Sequence, residues 1–203
     1  MKITVVIPLR ITSDIFQVED RLRGIISNIP PDKFNVIIVD YGTAEEYQYI
    51  LSGFSVSHIQ VIKFDAADKI FSIGHARDLG VQWAKDDVII FNDIDFFANE
   101  NMYDRIYQEV LSRDMHNNAY EFFCVPVFFL TEDGSREVTS YGTMNENISN
   151  NIIHRKISEL HANFVDFPAY GSSAIVVNKN HYLAIGGHSR EFYGHGAEDY
   201  DLL

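Results

Sequence analysis

Two aspartates, Asp93 and Asp95, close the run Val88-Ile89-Ile90-Phe91-Asn92-Asp93-Ile94-Asp95. The apolar part of this run reads as a short buried strand. In an extended chain, residues two apart point to the same side, so both carboxylates are expected to project together from its carboxyl end. Two carboxylates held together repel unless a cation lies between them. Mg2+ or Mn2+ takes oxygen ligands of this kind and is commonly shared with phosphate groups. Its charge makes a diphosphate a competent leaving group. The same spacing recurs at Asp199-Tyr200-Asp201, so in a chain this acidic the pair is also compatible with composition alone.

A second segment, Gly186-Gly187-His188-Ser189-Arg190-Glu191-Phe192-Tyr193-Gly194-His195-Gly196-Ala197-Glu198-Asp199, combines glycines, aromatics and acids. Glycines let the backbone approach a ligand closely. Aromatic faces suit the apolar side of a sugar ring. Glu198 and Asp199 open a helix-like stretch, where the helix dipole favours the anionic form. A carboxylate kept ionised beside a hydroxyl can take its proton as that hydroxyl attacks. A plain helix N-cap with turn glycines accounts for the same composition, and both readings stand at this point. His188 and His195 are read as loop or sugar-contacting residues rather than metal ligands.

Stepping strands must position these groups. Ile3 to Ile7, Val36 to Val39, Ile59 to Phe64 and Val88 to Phe91 are short β-rich runs. Val18 to Ile29, Ala44 to Phe54 and Ala76 to Ala84 carry helix-like spacing between them. Strands alternating with helices imply an α/β fold with a mostly parallel central sheet and helices on both faces. Ligands of such sheets bind beyond the carboxyl ends of the strands. That directs attention to Pro8-Leu9-Arg10, Asp40-Tyr41-Gly42-Thr43 and Asn92-Asp93-Ile94-Asp95. In the second half, Phe122 to Leu130 is expected to be one strand, Thr131 to Arg136 a turn around Asp133-Gly134, and Ser140 to Asn151 a polar loop. Ala174 to Val177 is a further strand, and His181 to Ile185 begins a short helix that Gly186-Gly187 breaks. Glu198 to Leu203 looks like the first turn of a helix too short to be stable alone. The chain is therefore expected to continue past Leu203.

The bulk properties narrow the classes. With 203 residues and 46% apolar content, one sizeable folded domain is expected. The net charge of −13 argues against wrapping nucleic acid and against a polybasic membrane anchor. The single cysteine, Cys124, lies in an apolar run and reads as a buried small hydrophobe. No run approaches the ~18 apolar residues of a membrane span. No signal-peptide pattern opens the chain. The expected location is cytoplasmic.

Taken together, these segments resemble the GT-A glycosyltransferases. They are most similar to the inverting β-1,4-galactosyltransferase and N-acetylgalactosaminyltransferase type and to the family-2 bacterial polymer-building enzymes. Val6-Ile7-Pro8-Leu9-Arg10 resembles the first strand and its Pro-x-Arg, which implies nucleotide contact by Pro8 and Arg10. Val39-Asp40-Tyr41-Gly42-Thr43 is similar to a Val-Asp-Asp-Gly-Ser turn, implying that Asp40 holds base or ribose. Ala76-Arg77-Asp78-Leu79-Gly80 resembles Ala-Arg-Asn-x-Gly, which places Arg77 beside the nucleotide. Phe91-Asn92-Asp93-Ile94-Asp95 matches the metal-binding Asp-x-Asp, with Asp93 also near the nucleotide. Tyr170-Gly171-Ser172-Ser173-Ala174 and Ile185-Gly186-Gly187 resemble the wall around donor sugar and acceptor. Gly194-His195-Gly196-Ala197-Glu198-Asp199 resembles Gly-Trp-Gly-Gly-Glu-Asp. By that resemblance Tyr193, His195, Gly196 and Glu198 meet the sugars, and Asp199 is the catalytic base. Tyr41, Asp78 and His195 depart from the pattern, and the family's metal-binding His would fall beyond Leu203.

The resemblance implies a single GT-A domain over 1–203, with 1–98 as the nucleotide-binding half and 99–203 as the acceptor-binding half. It implies Mn2+ or Mg2+, a UDP-sugar donor (Gal, GalNAc or GlcNAc) and a saccharide acceptor in bacterial surface polysaccharide synthesis. A lipid-linked acceptor would bring peripheral membrane association. Two other readings stay open. A nucleotidyltransferase would be expected to carry a glycine-rich triphosphate loop after the first strand, where this chain has Pro8-Leu9-Arg10-Ile11-Thr12. A non-catalytic sugar- or nucleotide-binding module is the other.

Overall fold

Every residue of β1 (Ile3–Leu9) is buried, which requires cover on both faces of its sheet. Side chains alternate between those faces. Ile3, Val5 and Ile7 join an apolar cluster with Leu22 and Ile25 of α1 (Val18–Ser27) and with Tyr103, Ile106 and Val110 of α4 (Glu100–Ser112). Val6 points the other way, into a cluster with Ala76 and Val81 of α3 (Ile73–Trp83). The computed structural model describes residues 1–13, 17–54, 56–96, 98, 100–139, 165–170, 174–189 and 191–192.

The main sheet has six strands in the order β3-β2-β1-β4-β8-β5. Besides β1 these are β2 (Phe34–Tyr41), β3 (Ile59–Phe64), β4 (Val88–Phe91), β5 (Phe122–Cys124) and β8 (Ile175–Asn178). β1 pairs in parallel with β2 and β4, and β2 with β3. β8 alone runs antiparallel to both of its neighbours. The expected α/β class with a mostly parallel sheet is therefore observed. Strand order reverses between β1 and β4, and such a reversal opens a crevice at the carboxyl edge.

Close packing of α3 on this sheet depends on Gly80. A Cβ there would lie 2.3 Å from Val6 Cγ1 and 3.2 Å from Val39 Cγ2. The helix can approach β1 and β2 this closely only with no side chain at that position.

Several elements differ from the sequence expectation. Phe122 to Leu130 is not one strand. Pro126 lacks the N–H a ladder needs, and after β5 the chain leaves the main sheet. β6 (Val127–Leu130) instead pairs antiparallel with β7 (Val165–Ala169) in a separate two-stranded sheet. The expected turn at Thr131 to Arg136 is the start of a helix, α5 (Glu132–Thr139). Thr131 Oγ1 accepts the Gly134 N–H at 3.1 Å, an N-cap bond, and Glu132 and Asp133 lie in the first turn, where the dipole favours acids. Ala44 to Phe54 is a 3-10 turn (Glu45–Tyr47) followed by the short α2 (Gln48–Ser52). α6 (Lys179–Ala184) starts earlier than expected because Asn178 Oδ1 caps it, accepting from Asn180 N at 2.9 Å and His181 N at 3.3 Å. Gly186 and Gly187, both at positive φ, end it as expected. The polar loop at Ser140 to Asn151 and the helix start at Glu198 lie outside the described residues.

Candidate functional site

The crevice begins where β1 and β4 part. Their last pair is Val6 with Phe91, and the Asn92 N–H donates to Val6 O at 3.0 Å. Pro8 lies two residues beyond Val6, so the N–H it lacks would point toward the β4 side. No β4 residue pairs there, and the proline interrupts no ladder bond.

Asn92 decides what β4 does next. It is fully buried, and its Nδ2 donates to Asp93 O at 3.0 Å and Phe96 O at 3.3 Å. Its Oδ1 accepts from the Tyr103 hydroxyl of α4 at 2.9 Å. Burial pushes the Tyr103 hydroxyl well above its ordinary pKa, so it remains a donor. The Phe96 N–H closes the turn on Asp93 O at 3.0 Å. Asp93 and Asp95 therefore lie on a turn and not on an extended strand, which corrects the geometric reason given for their pairing. Asp95 is exposed, whereas Asp93 is partly buried.

Asp93 faces α3. Arg77, with no exposed surface, donates from Nη2 to Asp93 Oδ1 at 2.9 Å. Its guanidinium carbon stands 5.5 Å from the centre of the Phe91 ring. A charge removed this far from water needs a countercharge and hydrogen bonds to persist. Its Nη1 meets His188 Nε2 at 3.3 Å. His188 is a loop residue, as its place after the glycines suggested, but a buried one. It is 2% exposed and packs edge-on against Phe91 at 5.3 Å. The two positive-φ glycines before it turn the chain inward after α6.

Arg10 and Asp40 organise the loops beyond β1 and β2. The Arg10 guanidinium donates to Tyr41 O at 2.6 Å, Lys69 O at 2.8 Å and Ala66 O at 2.5 Å. It also lies 5.4 Å from the Tyr41 ring centre. Asp40 is 1% exposed; its Oδ1 accepts from Thr43 N at 2.7 Å and its Oδ2 from Gln48 Nε2 at 3.0 Å. Gly42, at φ +84°, completes that turn against the Ala66–Ala67 backbone. Tyr41, where the family pattern has an acid, puts its hydroxyl 2.9 Å from His75 Nδ1 of α3. Both groups thus shape the rim of the crevice through the backbone.

The structure pairs Arg77 with Asp93 at the exit of β4, with Asp95 on the same turn and Pro8 on β1 just past its last pair with β4, and engages Arg10 and Asp40 in the neighbouring loops. Gly171, Tyr193, His195, Gly196, Glu198 and Asp199 lie outside the described residues. Sequence reasoning met Asp78 only as a departure from the family pattern and did not find Tyr182; both share the buried cluster with Arg77 and His188.

Among the described residues, no three His, Cys, Asp or Glu side chains group as a complete metal site. A Mg2+ or Mn2+ shared with substrate phosphates needs only one or two protein carboxylates. Asp93 and the exposed Asp95, two hard oxygen donors on one turn at the sheet edge, fit that requirement.

A mostly parallel sheet whose strand order reverses between β1 and β4 defines a Rossmann-like α/β class. Residues 4–203 match the family model described as Glycosyltransferase like family 2, and the chain belongs to that family. No curated protein matches the sequence. Among solved structures, S. aureus TarS 1–349 is similar at 14% identity, over 98% of this chain and 53% of that one, with a TM-score of 0.57. The same protein in complex with UDP matches at 13% identity and the same coverage, with a TM-score of 0.57. The mannosyltransferase PcManGT from Pyrobaculum calidifontis, in complex with GDP-Man and Mn2+, matches at 14% identity over 93% of this chain and 47% of that one, with a TM-score of 0.55. These likenesses show the GT-A fold. The chain spans about half the length of the structures it matches. Among the described residues no helix is long and apolar enough to cross a membrane.

Proposed function

We propose that this chain is a glycosyltransferase that takes a sugar from a nucleotide diphosphate, with a UDP-sugar as the first choice, and passes it to a saccharide hydroxyl with inversion. The observation that carries this reading is the Asp93–Arg77 pair at the exit of β4, beside the crevice where β1 and β4 part. Membership in the family supports it. Residues 1–98 would hold the nucleotide and 99–203 the acceptor.

In this reading Pro8 and Arg77, both buried, serve the nucleotide side of the crevice from beneath its surface, Arg77 by pairing with Asp93. Arg10 and Asp40 act by fixing the loops that border it, because their polar atoms are engaged with Tyr41, Ala66, Lys69, Thr43 and Gln48. Asp93 and Asp95 would hold Mn2+ or Mg2+, whose charge offsets that developing on the departing diphosphate. Asp199 removes the acceptor proton as the hydroxyl attacks the anomeric carbon from the face opposite the diphosphate. Glu198 would hold a sugar hydroxyl, with Gly171, Tyr193, His195 and Gly196 around it. The donor sugar would be Gal, GalNAc or GlcNAc.

A panel of UDP-sugars, assayed for UDP release with Mn2+ and with chelator, tests this. At least one donor is expected to release UDP with Mn2+ and an acceptor saccharide present, and none with chelator. UDP binding without release from any donor would instead support a non-catalytic binding module.

A further inference from the structure

Behind the donor crevice, four side chains from α3, α6 and the loop after Gly187 form a continuous hydrogen-bonded chain. Arg77 Nη1 lies 3.3 Å from His188 Nε2. His188 Nδ1 lies 2.6 Å from the Tyr182 hydroxyl. That hydroxyl donates to Asp78 Oδ1, which also accepts the His188 backbone N–H at 3.1 Å. All four residues are buried.

The direction of this chain follows from donor chemistry. Arginine only donates, so His188 Nε2 must accept. The ring proton then sits on Nδ1 and is donated to the Tyr182 oxygen. The single proton of Tyr182 is left for Asp78, which accepts it. Running the chain the other way would set two donors against each other at Arg77. Burial first, and the Asp78 charge second, push the Tyr182 hydroxyl far above its ordinary pKa, so it keeps the proton this order needs. The backbone is shaped for the same contacts. A Cβ at Gly187 would lie 2.5 Å from Asp78 Oδ1, and one at Gly74 2.8 Å from His188 Cβ.

We propose that Tyr182 and His188 are positioning residues: their one-way hydrogen-bond chain from Asp78 fixes the Arg77 guanidinium against Asp93, and so fixes how that carboxylate meets the donor diphosphate. This rests on the donor-site reading above. Neither residue touches the reacting atoms. Partners behind a ligating group typically change metal affinity or activity by about 10- to 100-fold when removed.

The test has two independent arms. In the 15N-labelled chain without ligand, long-range 1H–15N correlation of the His188 ring, assigned by its contact with Phe91, is expected to show the Nδ1–H tautomer. An Nε2–H tautomer overturns the proposal. In the second arm, UDP is titrated calorimetrically with Mn2+ into the wild-type chain, Tyr182→Phe, His188→Leu and His188→Gln. The first two variants are expected to bind UDP about tenfold more weakly or worse. His188→Gln recovers part of that loss, because its amide oxygen can still accept from Arg77. Unchanged affinity in folded Tyr182→Phe and His188→Leu overturns the proposal. A wild-type chain that binds no UDP overturns the donor reading instead, while the tautomer still decides the order of the chain.

Discussion

Asp93→Ala is expected to lower the stability of the chain by about 3–5 kcal/mol and to remove metal-dependent nucleotide binding in the same step. The stability loss comes from Arg77, not from Asp93 itself. The guanidinium is fully buried, and the carboxylate 2.9 Å away is a countercharge to it. Truncating the carboxylate removes that countercharge from a low-dielectric site. Asp93→Asn separates the two effects. Its amide oxygen can still accept from Arg77, so a smaller loss of about 1–3 kcal/mol is expected. Metal-dependent UDP binding should fall in both variants, because an amide is a poor substitute for a carboxylate on a hard cation. Urea unfolding of the three proteins measures the first effect and calorimetry the second. An Asp93→Ala protein as stable as wild type would show that the pair does not hold Arg77 in place.

The second large effect is expected at Gly80→Ala. An alanine inside a helix ordinarily gains about 1 kcal/mol over glycine. Here the new methyl would stand 2.3 Å from Val6 Cγ1. Val6 is stiff at χ1 and buried in a central strand paired on both sides, so neither partner can give way cheaply. Overpacking of this kind costs about 1–3 kcal/mol, and a net loss is expected. The double variant Gly80→Ala with Val6→Ala should be more stable than the sum of the single effects by about 1 kcal/mol or more. Strict additivity in urea unfolding would place the contact elsewhere. The effect reaches the site, because the spacing of α3 from β1 also sets where Arg77 meets Asp93.

The parallel half of the fold was legible because its signals are local. β3 and β4 fall on the bounds their apolar runs predict, and α3 ends near its expected place. β1 and β2 are longer than expected because Pro8 and Asp40 remain in the ladder. Proline reads as a strand breaker, yet here its missing N–H faces the gap beside β4. The second half misled for the same reason in reverse. Asp133-Gly134 looks like a turn, but the Thr131 cap makes it the first turn of α5. In the site, the placement of Asp93 and Asp95 at the exit of β4 was readable and the turn they lie on was not. Whether β4 stays extended is decided by Asn92, which needs Tyr103 from α4 to complete its bonds. The burial of His188 depends on Arg77 and Tyr182, joined to it only by the fold. Arg10 and Asp40 were read as ligand contacts because their positions match the family. Which carbonyls and amides engage them is set by loops that no local pattern reveals.

In the proposed function, a carboxylate-held divalent cation fixes a nucleotide diphosphate at the exit of β4. Calorimetric titration of UDP into the wild-type chain and Asp95→Ala, each with Mn2+ and with chelator, tests it most directly. Asp95 is exposed, so its loss should leave the fold intact. UDP binding to wild type is expected to weaken by about tenfold or more on chelation, and by a similar factor in Asp95→Ala with Mn2+. UDP binding that is equal in all four titrations, or absent in all four, would contradict it.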